Sequence, residues 1–285
     1  MAAKSGDELQ KDVMRLKEWI DRQPHLPKDI DNDLLKRFVH SCYYDIEKAK
    51  NTVDLFFTIR ASAPEMLNNR DPQSPPIQKA IKITNLAQYK SPRDKNIWIW
   101  QLNDPGLENY DYCADAKLFF LATDAWLLDS EYLEKEDIII MDVKDITLKF
   151  VTKFNLSLAR KLSKYQEDAI PIRLKEIHVV NSPPFIDKIY SLLKPLLKQE
   201  ITNVIHFHSP NSETVYKYLN KDELPQNYGG TLPTLEEFNE KVIGMIMSHR
   251  ERFLNDNMWK ADLKKHKNKE AVTTEVGSFR SIEFD

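Results

Sequence analysis

The sequence predicts an α/β protein, a small bundle of three N-terminal helices followed by a sandwich on a mostly parallel sheet. Two observations predict it. Near the N-terminus, apolar residues recur at the 3-and-4 spacing of a helix face. Further on, four short and nearly all-apolar runs are each separated from the next by helical sequence, the pattern of buried strands joined by crossover helices.

The helical part comes first. Leu9, Val13, Leu16 and Ile20 form one stripe, ended by Pro24 and Pro27. Leu34, Leu35, Phe38 and Val39 form a second, with Asp31 or Asn32 placed to cap it. Asp45 can cap a third helix carrying Ala49, Val53, Phe56 and Phe57 on one face, and the bundle closes near Leu67. The proline-rich stretch Asn68–Pro76 reads as a linker. Beyond it, Ile97–Trp100, Ile138–Met141, Ile177–Val180 and Val204–Phe207 read as strands buried on both faces. Helices are expected at Ala114–Leu128, Leu156–Gln166, Phe185–Lys194 and Thr234–Phe253, with a loosely attached polar tail from Asp256 to Asp285.

Composition removes several function classes. The chain has 285 residues, room for about two domains. With 41 Lys and Arg against 44 Asp and Glu it has a net charge of −3, which argues against general nucleic-acid binding. The longest run without Asp, Glu, Lys or Arg is the twelve residues Ile201–Ser212, whereas a membrane span needs about 20 apolar residues. The N-terminal residues Met1–Asp12 lack the apolar core of a signal peptide. Two cysteines, Cys42 and Cys113, build neither a disulfide framework nor a metal site, and a reduced cytoplasmic setting is expected. From six glycines no GxGxxG or GxxxxGK[ST] loop can be written, and GxSxG, HExxH and DxDxDG are absent as well. No catalytic residue, cofactor or metal is therefore expected.

Three segments carry information beyond packing. Asn181-Ser182-Pro183-Pro184 follows a strand and opens a helix whose Ile186, Ile189, Tyr190 and Leu193 share a face, and Pro195 then interrupts the run. The result is a short apolar helix punctuated at both ends, able to move as a flap over Phe185–Leu197 or to pack as an ordinary crossover helix. Leu224-Pro225-Gln226-Asn227-Tyr228-Gly229-Gly230 requires a sharp turn with positive φ at one or both glycines. On a strand, His206 and His208 point the same way, and His178 lies on another strand. No carboxylate or thiol sits nearby at ligand spacing, and hydrogen-bonded structural imidazoles are expected.

In this order the segments resemble the CRAL-TRIO lipid-binding family, which includes the cellular retinaldehyde-binding and α-tocopherol transfer proteins. The resemblance spans about Asp31 to Phe253. It rests on Leu34–Phe38 with Asp45–Ala49, Ile138-Ile139-Ile140-Met141-Asp142, Ile170–Asn181, Lys194-Pro195-Leu196-Leu197, and Leu224-Pro225 with Tyr228-Gly229-Gly230. It implies an N-terminal helical domain over 1–75, a lipid-binding domain over 76–240, and a C-terminal helix and tail over 241–285. It further implies a non-enzymatic carrier that encloses one hydrophobic molecule under a gate helix at Phe185–Leu197 and meets membranes transiently. The guest would be a retinoid, tocopherol, carotenoid or related lipid; the alternative is phosphatidylinositol or another phospholipid.

Carried over residue by residue, the ligand contacts fall on Phe119, Thr123, Ile139, Met141, Leu162, Tyr165, Ile170, Ile177, Ile189, Leu192 and Leu193, with Thr123 and Tyr165 as polar anchors. The basic cluster that engages phosphoinositide head groups in the tocopherol carrier is reduced to Arg173 and Lys175. Its other positions fall on Cys42, Glu200 and Val204. The usual glycine after the strand-end Asp is replaced by Asp145.

Overall fold

The computed structural model describes residues 5–129 and 132–266. Their contacts divide into two compact units, one made of residues 5–69, 157–171 and 255–266, the other of 70–156 and 172–254.

The first unit is helical. Its elements are α1 (Gly6–Asp21), α2 (Asn32–Ser41), α3 (Ile46–Ser62) and the single turn α4 (Pro64–Leu67). Each of the first three starts on a capping side chain that accepts from an otherwise unpaired amide: Ser5 in a reciprocal box with Glu8, then Asp31, then Asp45. The stripes read from the sequence are buried together, Leu16, Phe38, Val53 and Phe56 almost completely.

Residues 255–266 pack here too. Ala261 N donates to Phe57 O at 2.9 Å and Asp262 N to His25 O at 2.8 Å, and Trp259 and Ala261 are buried. The expectation of a loose tail from Asp256 is thus corrected as far as His266, because an indole and two backbone hydrogen bonds anchor it. The remainder, 267–285, lies outside the described residues.

The second unit contains α5 (Pro75–Ile81), β1 (Thr84–Lys90), β2 (Lys95–Leu102), α6 (Tyr112–Asp129), β3 (Glu136–Asp142) and the short α7 (Phe150–Lys153). The helix α8 (Leu156–Asp168) contributes Ser157 onward to the first unit. The second unit resumes with β4 (Leu174–Val180), α9 (Ile186–Leu193), α10 (Gln199–Thr202), β5 (Ile205–Phe207), α11 (Leu235–Ser248) and α12 (Arg250–Leu254).

The sheet order is β1-β2-β3-β4-β5, with β1 antiparallel to β2 and the others parallel. The edge strand β1 is absent from the sequence reading because Asn85, Gln88 and Lys90 interrupt its apolar residues. The expected C-terminal helix is broken at His249, between α11 and α12.

Because β2 to β5 step across the sheet in one direction, right-handed crossovers put their connecting helices on one face. Trp126 of α6 meets Trp98 edge to face at 4.8 Å, and Tyr190 of α9 meets Phe207 at 5.0 Å, on that same face. The opposite face is sealed by the chain after β5. Ile97, Ile99, Ile138, Ile140 and Val180 pack there against Val215, Leu219, Leu224, Leu235 and Phe238.

A boundary between the two units falls inside the expected linker Asn68–Pro76, between Asn69 and Arg70, and the stretch after it is tied down. Arg70 is buried and donates to the equally buried Asp124 of α6, while Arg250 grips Asp71 through two hydrogen bonds of 2.8 Å. A charged pair was the signal, and prolines concealed it. Asp124→Ala leaves a buried guanidinium without this counter-charge. We expect a loss of about 3–5 kcal/mol in urea denaturation, largely recovered when Arg70→Met is added.

Candidate ligand-binding site

The site begins with a burial pattern. In β3, Ile138, Ile140 and Asp142 are buried while Ile139 is half-buried and Met141 is 37% exposed. The strand is apolar on both faces but covered on one. Register extends this pattern: Ile139 pairs with Ile177 and Ile177 with Ile205, while Met141 pairs with Val179 and Val179 with Phe207. Six apolar side chains in two rows therefore share the crossover-helix face, and Phe207 is also 37% exposed. The expectation of strands buried on both faces is corrected here. Val179, between Met141 and Phe207, is buried at 8% exposure while Ile139, Ile177 and Ile205 are half-buried. A partly open apolar face of this kind is a candidate binding surface.

Of the eleven residues carried over from the resemblance, Ile139, Met141 and Ile177 come together on this floor. Val179, Ile205 and Phe207 complete it and were missed. Their signal is the two-residue alternation of a strand, which becomes informative once the parallel register is known.

On α9, Ile189 is buried and Leu193 half-buried, whereas Leu192 faces solvent at 47% exposure. That helix runs into a 3₁₀ turn at Lys194–Leu196, where Pro195 cannot donate. On α6, Phe119 is half-buried, and the buried Thr123 hydroxyl donates to Phe119 O at 3.0 Å.

The other three carried-over residues belong to the first unit. There Leu162 is half-buried and Ile170 buried. The Tyr165 hydroxyl accepts from Arg60 Nε at 2.8 Å. The Arg60 guanidinium lies 4.0 Å above the Phe56 ring and 5.2 Å from that of Trp259. Tyr165 thus helps to solvate a buried cation.

Hydrogen bonds set the ends of the floor. At one end, Asp137 accepts from Asn96 Nδ2 at 2.8 Å, Trp98 Nε1 at 3.1 Å and Arg173 N at 2.7 Å. Arg173 precedes β4, and Lys175 falls at a register shift, exposed.

At the other end Asp142 accepts from Gln101 Nε2 (2.7 Å), Asn181 Nδ2 (2.9 Å), Tyr228 OH (3.1 Å) and Lys144 N (3.1 Å). The strand-end aspartate, the asparagine after β4 and the tyrosine of the glycine turn are thus one cluster. Gly229 has φ +68°, as the turn requires, and a Cβ on Gly230 would stand 1.8 Å from Leu224 O.

The histidines lie on the sealed side. Glu176 can only accept, so the chain of bonds has a direction. His178 Nε2–H donates to Glu176 at 3.3 Å, His208 Nε2–H to His178 Nδ1 at 3.1 Å, and the Thr214 hydroxyl to His208 Nδ1 at 2.7 Å. Every step uses a neutral imidazole. Burial first, then the neighbouring His208, His206 and Lys95, push His178 down to about 3.

Asp115 behaves oppositely. Burial raises its carboxyl to about 6, despite donors from Trp100, Thr84 and Tyr110.

The second unit is an α/β domain, and comparison with known proteins agrees on the fold. Residues 96–230 match the CRAL/TRIO domain and residues 5–77 the Pinta-like UBA domain. The human alpha-tocopherol transfer protein-like protein is 26% identical over 245 residues, 83% of this chain and 71% of that protein. Human clavesin-2 is 23% identical over 234 residues, 80% and 70% of the two chains. The crystal structure of Sfh5 covers 88% of this chain and 100% of its own at 11% identity, with a TM-score of 0.51, a likeness of fold. Residues 96–230 thus carry a CRAL/TRIO domain, a family whose members bind and transfer lipids and are generally not enzymes. No described helix is long and apolar enough to cross a membrane.

Two titrations oppose each other. The raised Asp115 gives stability that is complete below pH 3.8 and lost as pH rises through about 6. The depressed His178 gives stability that is complete above pH 6.5 and lost as pH falls toward about 3. Between pH 4 and 6 their contributions have opposite slopes. Relative to the parent protein, urea midpoints should fall more steeply on acidification in Asp115→Asn and less steeply in His178→Asn.

Proposed function

We propose that the protein is a non-enzymatic carrier for one hydrophobic small molecule of the retinoid, tocopherol or carotenoid kind, held on the β3–β5 floor beneath α9. One observation carries the reading: an aliphatic and aromatic floor from three adjacent strands is left open on a chain that seals the other face of the same sheet. Covering about 500 Å² of apolar ligand gives a gross gain on the order of 12 kcal/mol before ordering costs, with no charge required. Release must offset that gain. A short apolar α9, ended by a proline and exposing Leu192, can open toward a membrane surface where lipid replaces water as the receiving phase. In this reading α9 with its 3₁₀ extension is the gate, and the protein works in the cytoplasm with its two cysteines free.

A phospholipid guest is the second reading, favoured by Arg173 and Lys175 beside the floor. Organic extraction and native mass spectrometry of the purified protein separate the two. Recovery of an isoprenoid-type molecule supports the first reading and of a phospholipid the second. A protein that neither retains nor takes up any lipid overturns both.

Ile177→Asp puts a charge in the middle of the floor, and Leu193→Asp puts one on α9. Each should reduce retinoid or tocopherol uptake by at least tenfold in a fluorescence titration while circular dichroism stays unchanged. Full affinity in both variants removes the floor and the gate from the site.

A further inference from the structure

The helical unit brings together three metal-ligating side chains that lie far apart in sequence. His25 sits between Pro24 and Pro27 in the α1–α2 connection, Asp54 lies on α3, and His266 follows the 3₁₀ turn Leu263–Lys265. Asp54 Oδ1 is 2.6 Å from His25 Nε2, and Asp54 Oδ2 is 3.5 Å from His266 Nε2. Ligand atoms of all three lie within 4.8 Å of one another, and the imidazoles meet edge to face with centroids 4.3 Å apart. We propose that His25, Asp54 and His266 form a binding site for a divalent transition-metal ion of the zinc class.

Three features support the assignment. The donor set is two imidazoles and one carboxylate, a borderline set that suits Zn²⁺ or Co²⁺ and disfavours Mg²⁺ or Ca²⁺, which take oxygen. Its charge, −1 with both imidazoles neutral, complements a dication. Its geometry is close to what an ion needs: bonds of about 2.0–2.1 Å at tetrahedral angles put ligand atoms roughly 3.3 Å apart. Opening the His25–Asp54 contact by less than an ångström and closing the others meets that spacing.

The scaffold already holds the three in place. His25 is 5% exposed, its carbonyl accepts from Asp262 N at 2.8 Å, and the Asp262 side chain caps the turn that leads to His266. Its other ring nitrogen, Nδ1, is buried without a hydrogen-bond partner, so Nε2 is the nitrogen the scaffold presents to Asp54. Three protein ligands leave a fourth position to water. The ion would act as a clip, fastening the segment after Asn255 to α3 and to the α1–α2 connection.

The test uses the full-length protein, free of any affinity tag, stripped with chelator and kept reduced. Zn²⁺ titrated by calorimetry should bind one equivalent with a Kd of 10 μM or tighter and raise Tm. Co²⁺ should give the visible absorption bands of a tetrahedral site. Asp54→Asn and His266→Ala, each checked for fold by circular dichroism, should weaken Zn²⁺ at least tenfold and abolish the Tm rise. His178→Asn, on the separate histidine cluster, should leave both unchanged. Absence of Zn²⁺ binding up to 100 μM overturns the proposal. So does binding that survives Asp54→Asn and His266→Ala, or binding that His178→Asn removes.

Discussion

Asp142 is the constraint on which the sheet unit depends. It ends β3, is 1% exposed, and collects donors from β2, from the residue after β4, from the turn that follows it and from the glycine turn before α11. A buried carboxylate is tolerable only when its oxygens are satisfied, so these four segments hold one arrangement or none. The consequences spread outward. Asn181 takes φ +54°, turning the chain toward α9. Tyr228 is fixed at its hydroxyl by Asp142 and at its carbonyl by Tyr216 OH at 2.9 Å, so Gly229 must turn left-handed and Gly230 must lie against Leu224 O. The motifs that look unrelated along the chain are the parts of one hydrogen-bond cluster.

Seen this way, the two faces of the sheet do different work. One is closed by Val215, Leu219, Leu224, Leu235 and Phe238 and carries the directed histidine chain on its margin. There polar groups are paired and apolar groups covered, as stability requires. The other face carries isoleucines, a valine and a phenylalanine, and Met141 and Phe207 on it are each 37% exposed. Stability alone would have placed polar residues at Met141 and Phe207. In the proposed reading, a hydrophobic guest accounts for their apolar character.

Much of this was legible in the residues. Helix stripes and caps in the first unit follow from spacing and from Asp31 and Asp45, because those rules are local. Three floor residues followed from the family resemblance, and the glycine turn from the scarcity of glycine elsewhere. What stayed hidden depends on distant partners. Arg70 meets Asp124, Arg60 meets Tyr165, and His25 meets Asp54 and His266, each across a separation that no pattern along the chain records. The openness of the floor was hidden for a related reason: a strand covered on one face and apolar on both reads the same as a strand buried on both.

The sheet has two edges, β1 and β5. The outer strand β1 is overlaid by α11, whose Asn239 Oδ1 takes the Leu86 amide at 2.9 Å, and Tyr89 stacks on Phe238 at 4.4 Å. The opposite border, β5, offers three residues only. The occupied Leu86 amide at one margin and the shortness of the other strand both limit strand-by-strand extension. A protein with an oily wall inside a sheet would otherwise be prone to polymerise strand by strand. In the proposed reading, blunted borders separate admission of a small guest from the pairing of one chain with another.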